Sequence, residues 1–283
     1  MLTNLAELNL ATGEKLTVKL LTCPEAGYAV DVVRFFLEHK PDWVRRIMRQ
    51  QLRGDYATCR TDKYFVGEID GRIAGALYYG FAASGVGSFA HVYTSSEHRK
   101  KGIARALTAA FIDDFKSAPV KVILSGTGTP WVAEFYKKFG FAPGPSKGSL
   151  ILMKHELEKT FEEYIDWYFQ RNGSITVRLG GMKYDNDAGI LAYACQMRGV
   201  ALQGDQASVI RFHADAVLQA EDGQGVLTVA ENANGHLVGW AFGRDTFSQD
   251  EGGRILNCQF HPNYLKDEKR FISESVELIH AVN

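Results

Sequence analysis

The sequence predicts an α/β fold of the mixed-sheet, α+β kind, followed by a second, incomplete copy of the same pattern. Three observations predict it. The stretch from Phe89 to Phe115 opens with alternating residues, passes a short polar turn and becomes a periodic helix. Ile103, Ala106, Leu107, Ala110, Phe111 and Phe115 share one face of that helix. Asp70-Gly71, a dipeptide that favours a two-residue hairpin turn, stands between two strand-like runs. Finally, LTVKL at 16–20 returns as ITVRL at 175–179.

The totals bound the answer. A chain of 283 residues favours two domains, and an apolar fraction of 46% supplies packed cores. A net charge of −1 gives no electrostatic case for nucleic acid or an anionic membrane as partner. Cys23, Cys59, Cys195 and Cys258 have no framework spacing, which fits reduced thiols in a cytoplasmic protein. Cys258 and His261 form a lone C-x-x-H with no second pair, so no metal site is expected. The first residues lack the basic region and apolar run of a secretion signal, and no apolar run is long enough to cross a bilayer.

Lys15 to Leu21 alternates as a first strand. A helical segment follows from about Glu25 to His39, with Val30, Val33 and Leu37 on one side. Pro41 starts a second helix whose apolar face is Val44, Ile47, Met48 and Leu52. Arg45, Arg46, Arg49 and Arg53 lie along its other side, as a solvated face or a contact for an acidic substrate or RNA. Tyr64–Glu68 and Ile73–Tyr79 are strands of the Asp70-Gly71 hairpin. The turn at Ser84–Gly87 leads into the strand that ends near Thr94. After the periodic helix, Val120–Leu124 is a short, continuously apolar strand of the buried type. Thr129-Pro130 reads as a helix cap with proline at the first helical position. That helix, WVAEFYKKF, ends at Gly140, and a last strand runs from Ser149 to His155.

The expected boundaries are a first domain at 1–155, a linker helix within 156–173 and a second domain at 174–283. In the second half Asn234-Gly235 sits as Asp70-Gly71 does, and Gly239 follows it as Gly75 follows Gly71. The interval from Thr17 to Asp70 is 53 residues and that from Thr176 to Asn234 is 58, which suggests a duplication. Leu256–Phe260 is then the fourth strand of the copy and Lys269–Ala281 its following helix.

The chemistry starts at the turn Arg99-Lys100-Lys101-Gly102-Ile103-Ala104. Gly102 lets the backbone approach a ligand, and the first helical turn leaves its N–H groups without partners. Those donors, the helix dipole and three cationic side chains make a pocket for a phosphate or pyrophosphate. An exposed basic turn that merely caps a helix has the same composition.

The element order of the first half, with R-K-K-G-I-A at this turn, resembles the GNAT superfamily of acyl-CoA-dependent N-acetyltransferases. The family hallmark is Arg or Gln, two residues, Gly, one residue, then Gly or Ala; Arg99, Gly102 and Ala104 match it. AEFYKKFGF, Ala133 to Phe141, is similar to the family's helix after the fifth strand. The resemblance covers about Lys15 to His155 well and Ile175 onward faintly. It implies a GNAT fold with acetyl-CoA as co-substrate and its pyrophosphate on Arg99, Lys100, Lys101, Gly102, Ile103 and Ala104. The pantetheine would lie along the backbone of Val92, Tyr93 and Thr94, because the family splays its fourth and fifth strands. Thr129 joins this cofactor-binding set.

Acyl transfer to an amine needs a neutral amine, a stabilised oxyanion and a proton for the departing thiolate. A lysine-like amine is less than ~0.1% neutral at pH 7, so a base or a water chain helps. By the resemblance, Tyr136 stands where the family often has its acid; packing beside Phe135 and Phe139 is its other role. Relatives with a base on the fourth strand place it near Ser88 and Ala90, and neither residue can serve. His91 is adjacent, and alternation turns it to the other face unless a bulge rotates it. Buried structural His91, base His91, helix-capping Glu97 and a water relay stay open.

The second copy departs where it matters. Its turn reads Asn263-Tyr264-Leu265-Lys266-Asp267-Glu268-Lys269-Arg270, no glycine occurs after Gly253, and two acids oppose a pyrophosphate. One active site per chain is therefore expected, the copy shaping an acceptor cleft, covering a sheet edge or forming a homodimer contact. The expected function is acetyl-CoA-dependent N-acetylation of a primary amine, of a small molecule or else of a protein. The competing reading is a non-catalytic acyl-CoA sensor or assembly module.

Overall fold

The computed structural model describes residues 1–200, 206–244 and 254–282; Gly253 falls outside them. The chain forms two compact units, Met1–Ala142 with Leu150–Lys154, and Pro143–Ser149 with His155–Asn283.

In the first unit β1 (Leu2–Asn9) and β2 (Lys15–Thr22) make a hairpin, followed by α1 (Ala29–Phe35) and α2 (Asp42–Arg53). Then come β3 (Arg60–Ile69), β4 (Arg72–Ala82), β5 (Val86–Thr94), α3 (Ile103–Ser117), β6 (Val122–Gly126) and α4 (Pro130–Lys137). Two short strands follow, β7 (Ala142–Pro143) and β8 (Ser149–Met153). The sheet runs β1-β2-β3-β4-β5-β6-β8-β7. Neighbours from β1 to β5 are antiparallel, and β5 pairs with β6 in parallel.

Period-two alternation sorts the strands onto two cores. Phe65, Leu77 and Phe89 face α3 with Leu107, Phe111 and Tyr136. Tyr64, Val66 and Tyr78 face α1 and α2 with Val32, Phe36, Met48 and Leu52. Asp70 (φ 49°) and Gly71 (φ 73°) both take the left-handed region, as a tight primed hairpin turn requires.

The expected long helix over 25–39 is shorter. A 3-10 turn at Ala26–Tyr28 precedes α1, and Leu37 N–H already bonds back to Arg34, three residues away. β1 carries no alternation that marks it, because all of its eight residues are exposed. It is ordered by the ladder with β2, from Leu2 opposite Leu21 to Asn9 opposite Lys15.

The second unit holds α5 (Phe161–Tyr168), β9 (Thr176–Leu179), α6 (Asp185–Met197) and α7 (Gln206–Glu221). It continues with β10 (Val226–Glu231), β11 (Leu237–Arg244), β12 (Arg254–Phe260) and α8 (Glu268–Val282). α5 starts with a reciprocal capping box between Thr160 and Glu163 and buries Tyr164, Ile165 and Tyr168. The sheet order β9-β10-β11-β12 repeats β2-β3-β4-β5.

The two sheets also share their register. Thr17 lies opposite Glu68 and Thr176 opposite Glu231. The ladder slips between Gly67 and Glu68, and equally between Ala230 and Glu231. Gly67 then faces Gly75 as Ala230 faces Gly239. Even the side chains match. Lys19 Nζ lies 2.6 Å from Glu68 Oε2, whose other oxygen accepts from Tyr28 at 3.0 Å. Arg178 Nε lies 2.9 Å from Glu231 Oε2, and Tyr184 donates to Glu231 Oε1 at 2.6 Å. Random hairpins do not share a bulge and a Lys/Arg–Glu–Tyr triad, so the second unit is a copy of the first. Among the described residues the second unit has no element that corresponds to β6 or α4.

No described helix is long and apolar enough to cross a membrane. None of Cys23, Cys59, Cys195 and Cys258 is in a disulfide.

Candidate active site

The site is built where β5 and β6 part. Their parallel ladder holds only Val86–Val122, Gly87–Ile123 and Ser88–Leu124. Beyond Ser88 that edge of β5 has no partner from β6, which leaves backbone hydrogen-bonding groups for an extended ligand. On its other edge β5 is bulged: Tyr78 faces Ala90 and Ala76 faces Tyr93, so His91 and Val92 together stand opposite the single residue Leu77. His91 takes a left-handed φ of 56°.

The bulge decides where His91 points. Strict alternation would set it opposite to Ala90. Instead its ring lies 6.3 Å from Phe36 and 5.6 Å from Tyr78, in the α1–α2 core that Ala90 and Tyr93 also touch. Burial and the nearby charge of Lys40 push its pKa down to about 3, so the imidazole is neutral at ordinary pH. Tyr78 is itself held in a buried cluster: its hydroxyl accepts from Arg60 Nη2 at 2.5 Å and donates to Asp62 at 2.7 Å. Arg60 and Asp62 are paired at 2.9 Å with 2% exposure each.

The turn after β5 carries two left-handed residues, Lys100 (φ 63°) and Gly102 (φ 96°), and Gly102 is the N-cap of α3. No side chain caps this helix. A Cβ on Gly102 would meet nothing within 4 Å, so there is open space at the N-cap, and the first turn of the helix leaves N–H groups without intrahelical partners. Ile103 is buried and contributes only its backbone. A Cβ on Gly75 would sit 2.6 Å from Ile103 Cγ2, so that glycine lets α3 start close over β4. Ala104 O accepts from Thr108 Oγ1 at 2.7 Å inside the helix.

The three cations of the turn are not equivalent. Arg99 folds back, with Nε 3.3 Å from Thr94 O and its guanidinium over the Tyr93 ring. Lys100 is exposed. Lys101 Nζ is 2.8 Å from Glu14 Oε1. The sequence expectation of three cations for one anion is thereby reduced: the charge of Lys101 is already matched by a carboxylate from the β1–β2 turn. Sequence spacing could not show that contact, because 87 positions separate the partners.

Tyr136, on α4, packs edge-on against Phe89 of β5 at 5.2 Å and beside Phe141 at 5.7 Å. Phe89 directly follows the last β5–β6 pair, so Tyr136 stands at the base of the opening. Burial raises its pKa, which keeps the phenol protonated and a donor. Thr129 occupies the N-cap position of α4 but makes no side-chain cap bond; its N–H bonds Thr127 Oγ1 at 3.1 Å. On the α1 side, a cavity of about 320 Å³ is lined by Phe35, Glu38, His39, Tyr93, Ser96 and Glu97, among others. The His39 and Tyr93 rings are 3.8 Å apart. Ser95 to Glu97 form the step from β5 into the glycine turn, so this cavity adjoins the open strand edge.

Residues 60–143 match the acetyltransferase (GNAT) domain family. They form a GNAT domain. Among solved structures the chain is similar to a GNAT-family acetyltransferase from Staphylococcus aureus, at 13% identity and TM-score 0.39, over 48% of this chain and 98% of that one. It is also similar to the PaiA N-acetyltransferase of Thermoplasma acidophilum in complex with coenzyme A, at 11% identity and TM-score 0.37, over 48% and 99%. A tandem GNAT protein from the clavulanic acid biosynthesis pathway matches 94% of this chain with 86% of its own, at 11% identity and TM-score 0.40. No curated protein matches the chain.

Among the described residues the GNAT-like copy has no equivalent site. Its turn is occupied by its own chain: Asn263 Nδ2 donates to Phe169 O at 3.2 Å and Tyr264 donates to Gln170 O at 2.8 Å. Phe169 stacks on His261 at 4.1 Å, and Arg171 pairs with Asp267 at 2.9 Å. Asp267 and Glu268 supply negative charge at the start of α8, where a phosphate would otherwise benefit from the dipole. No group of three or more metal-binding side chains occurs among the described residues.

Proposed function

We propose that this protein transfers the acetyl group of acetyl-CoA to a primary amine, preferably of a small molecule. Acyl-CoA-dependent N-acyl transfer is the activity of the GNAT family; the acetyl donor and the amine acceptor are the finer reading. The observation that carries it is the continuous path from the free edge of β5 into the uncapped start of α3. The edge at Val92, Tyr93 and Thr94 would hold pantetheine, and the N–H groups after Gly102 the pyrophosphate, with Arg99 and Lys100 beside it. Lys101 and Thr129 would serve this site from its margin, through backbone and shape.

A ligand laid along β5 from Thr94 towards Phe89 brings its thioester to the base of the opening. The amine nitrogen attacks the thioester carbonyl, the carbon–sulfur bond breaks, and Tyr136 supplies a proton to the departing thiolate. His91 faces the acceptor side as a neutral imidazole. It is too weak a base to hold an ammonium proton, so it would orient the amine or a water while the amine sheds its proton to solvent. Glu97 is held ionised by its own turn, with its carboxyl below the usual range, and it borders the acceptor cavity rather than the thioester.

The weak basicity of His91 is also what favours the sensor reading. Thiol release from acetyl-CoA over a broad amine panel separates the two. The enzyme reading expects turnover that falls by about 10²–10⁴-fold in Tyr136→Phe with coenzyme A affinity retained. No release with any amine from a protein that binds coenzyme A would leave the sensor. The proposed setting is cytoplasmic, with neither membrane nor nucleic acid as the proposed partner. A homodimer would be read from the mass in solution.

A further inference from the structure

Glu14 lies in the turn between β1 and β2, on the far side of the sequence from the glycine turn, yet its carboxylate reaches that turn twice. Glu14 Oε1 is 2.8 Å from Lys101 Nζ and 3.4 Å from His98 Nδ1. Its other oxygen is fixed by Thr12 Oγ1 at 2.6 Å, and the turn itself is closed by Leu10 N–H to Glu14 O at 2.9 Å. Glu14 and Lys101 are half-buried, and Lys101 Nζ itself lies 3.3 Å from His98 Nδ1.

The ion pair to Lys101, and the His98 ring that Lys101 and Glu14 both approach, fall on either side of Lys100. That residue holds φ 63° without being glycine, a conformation that costs free energy and persists only where its surroundings impose it. His98 and Lys101 are the positions from which it can be imposed. The chain also contains its own comparison. In the second unit β9 is the edge of its sheet, so among the described residues that copy has no counterpart of β1 or of the turn carrying Glu14. It also lacks the glycine turn. Present together in one unit and absent together in the other, the two features belong to one device. It further accounts for β1, a strand exposed along its whole length that adds nothing to the core.

We infer that Glu14 is a positioning residue for the acyl-CoA site: from the β1–β2 turn it staples His98 and Lys101 across the strained Lys100 and so preforms the pyrophosphate-binding backbone. The inference rests on the coenzyme A reading for its purpose, but the staple itself is readable without ligand. Arg99, Lys100 and Lys101 are all trypsin sites, and a tightened turn resists cleavage.

The test compares the full chain with Glu14→Gln, which keeps size and removes charge. Mass spectrometry after limited trypsin treatment should show cleavage at 99–101 at least about five-fold faster in the variant, the shift expected from losing a half-buried ion pair. Calorimetry with coenzyme A should show affinity weakened by about five- to ten-fold, with unchanged melting temperature. In a Lys101→Met background Glu14→Gln should have little further effect. Unchanged cleavage overturns the staple. Faster cleavage with equal or tighter coenzyme A binding overturns its positioning role. Failure of the wild-type chain to bind coenzyme A would sink the site assignment, while the cleavage comparison would still decide on the staple.

Discussion

Lys19, Glu68 and Tyr28 form the same triad as Arg178, Glu231 and Tyr184, and only the first set belongs to a unit with a glycine turn. A triad kept in both copies therefore pins a helix start to its sheet rather than serving catalysis. The histidines behave differently. His91 and His261 are both held neutral by burial, each with a pKa pushed down to about 3 from 6.5; in His261 the ring nitrogen Nδ1 accepts from Asn263 N–H at 3.1 Å. Below pH 6.5 the unfolded chain takes up these two protons and the native chain does not, so unfolding gains as pH falls. Melting temperature should drop progressively from about pH 6.5 towards pH 3 and be insensitive to these groups above pH 7. In His91→Phe the first unit should lose part of that slope; an identical profile would contradict the burial of a neutral ring. The sequence offers a buried structural His91 as one reading, but alternation alone turns the ring the other way and only the bulge settles its direction.

Among the elements, α3 matters most, and its start is set by a glycine that sits in another element. Gly75 of β4 lets Ile103 approach, and an added methyl would lie 2.6 Å from Ile103 Cγ2. Gly75→Ala should cost about 1–3 kcal/mol by overpacking and shift the first turn of α3 away from β4. Denaturant unfolding measures it, and a midpoint equal to wild type would count against this packing. The equivalent Gly239 in the copy faces the ring of Phe260 instead, so the same register serves a filled site. Much at this scale is legible. R-K-K-G-I-A and the Phe89–Phe115 periodicity are local signals, and Asp70-Gly71 announces its turn by residue type. β1 is not legible, because an exposed edge strand needs no alternation, and the parting of β5 from β6 is a property of pairing rather than of either segment.

For the whole molecule, the duplication is faint in sequence and plain in register. Two short matches at similar spacing suggest it; the shared bulge, the shared glycine and the shared triad establish it. What the copy lacks is as informative as what it keeps. Its turn is filled by Phe169, Gln170 and Arg171, and two carboxylates stand at the start of α8. We therefore propose one acyl-CoA site per chain, at the turn that contains Gly102. Calorimetric titration of coenzyme A into the full chain tests it most directly. One site per chain, abolished in Gly102→Glu, is the expected result; two sites, or binding that survives Gly102→Glu, would contradict it.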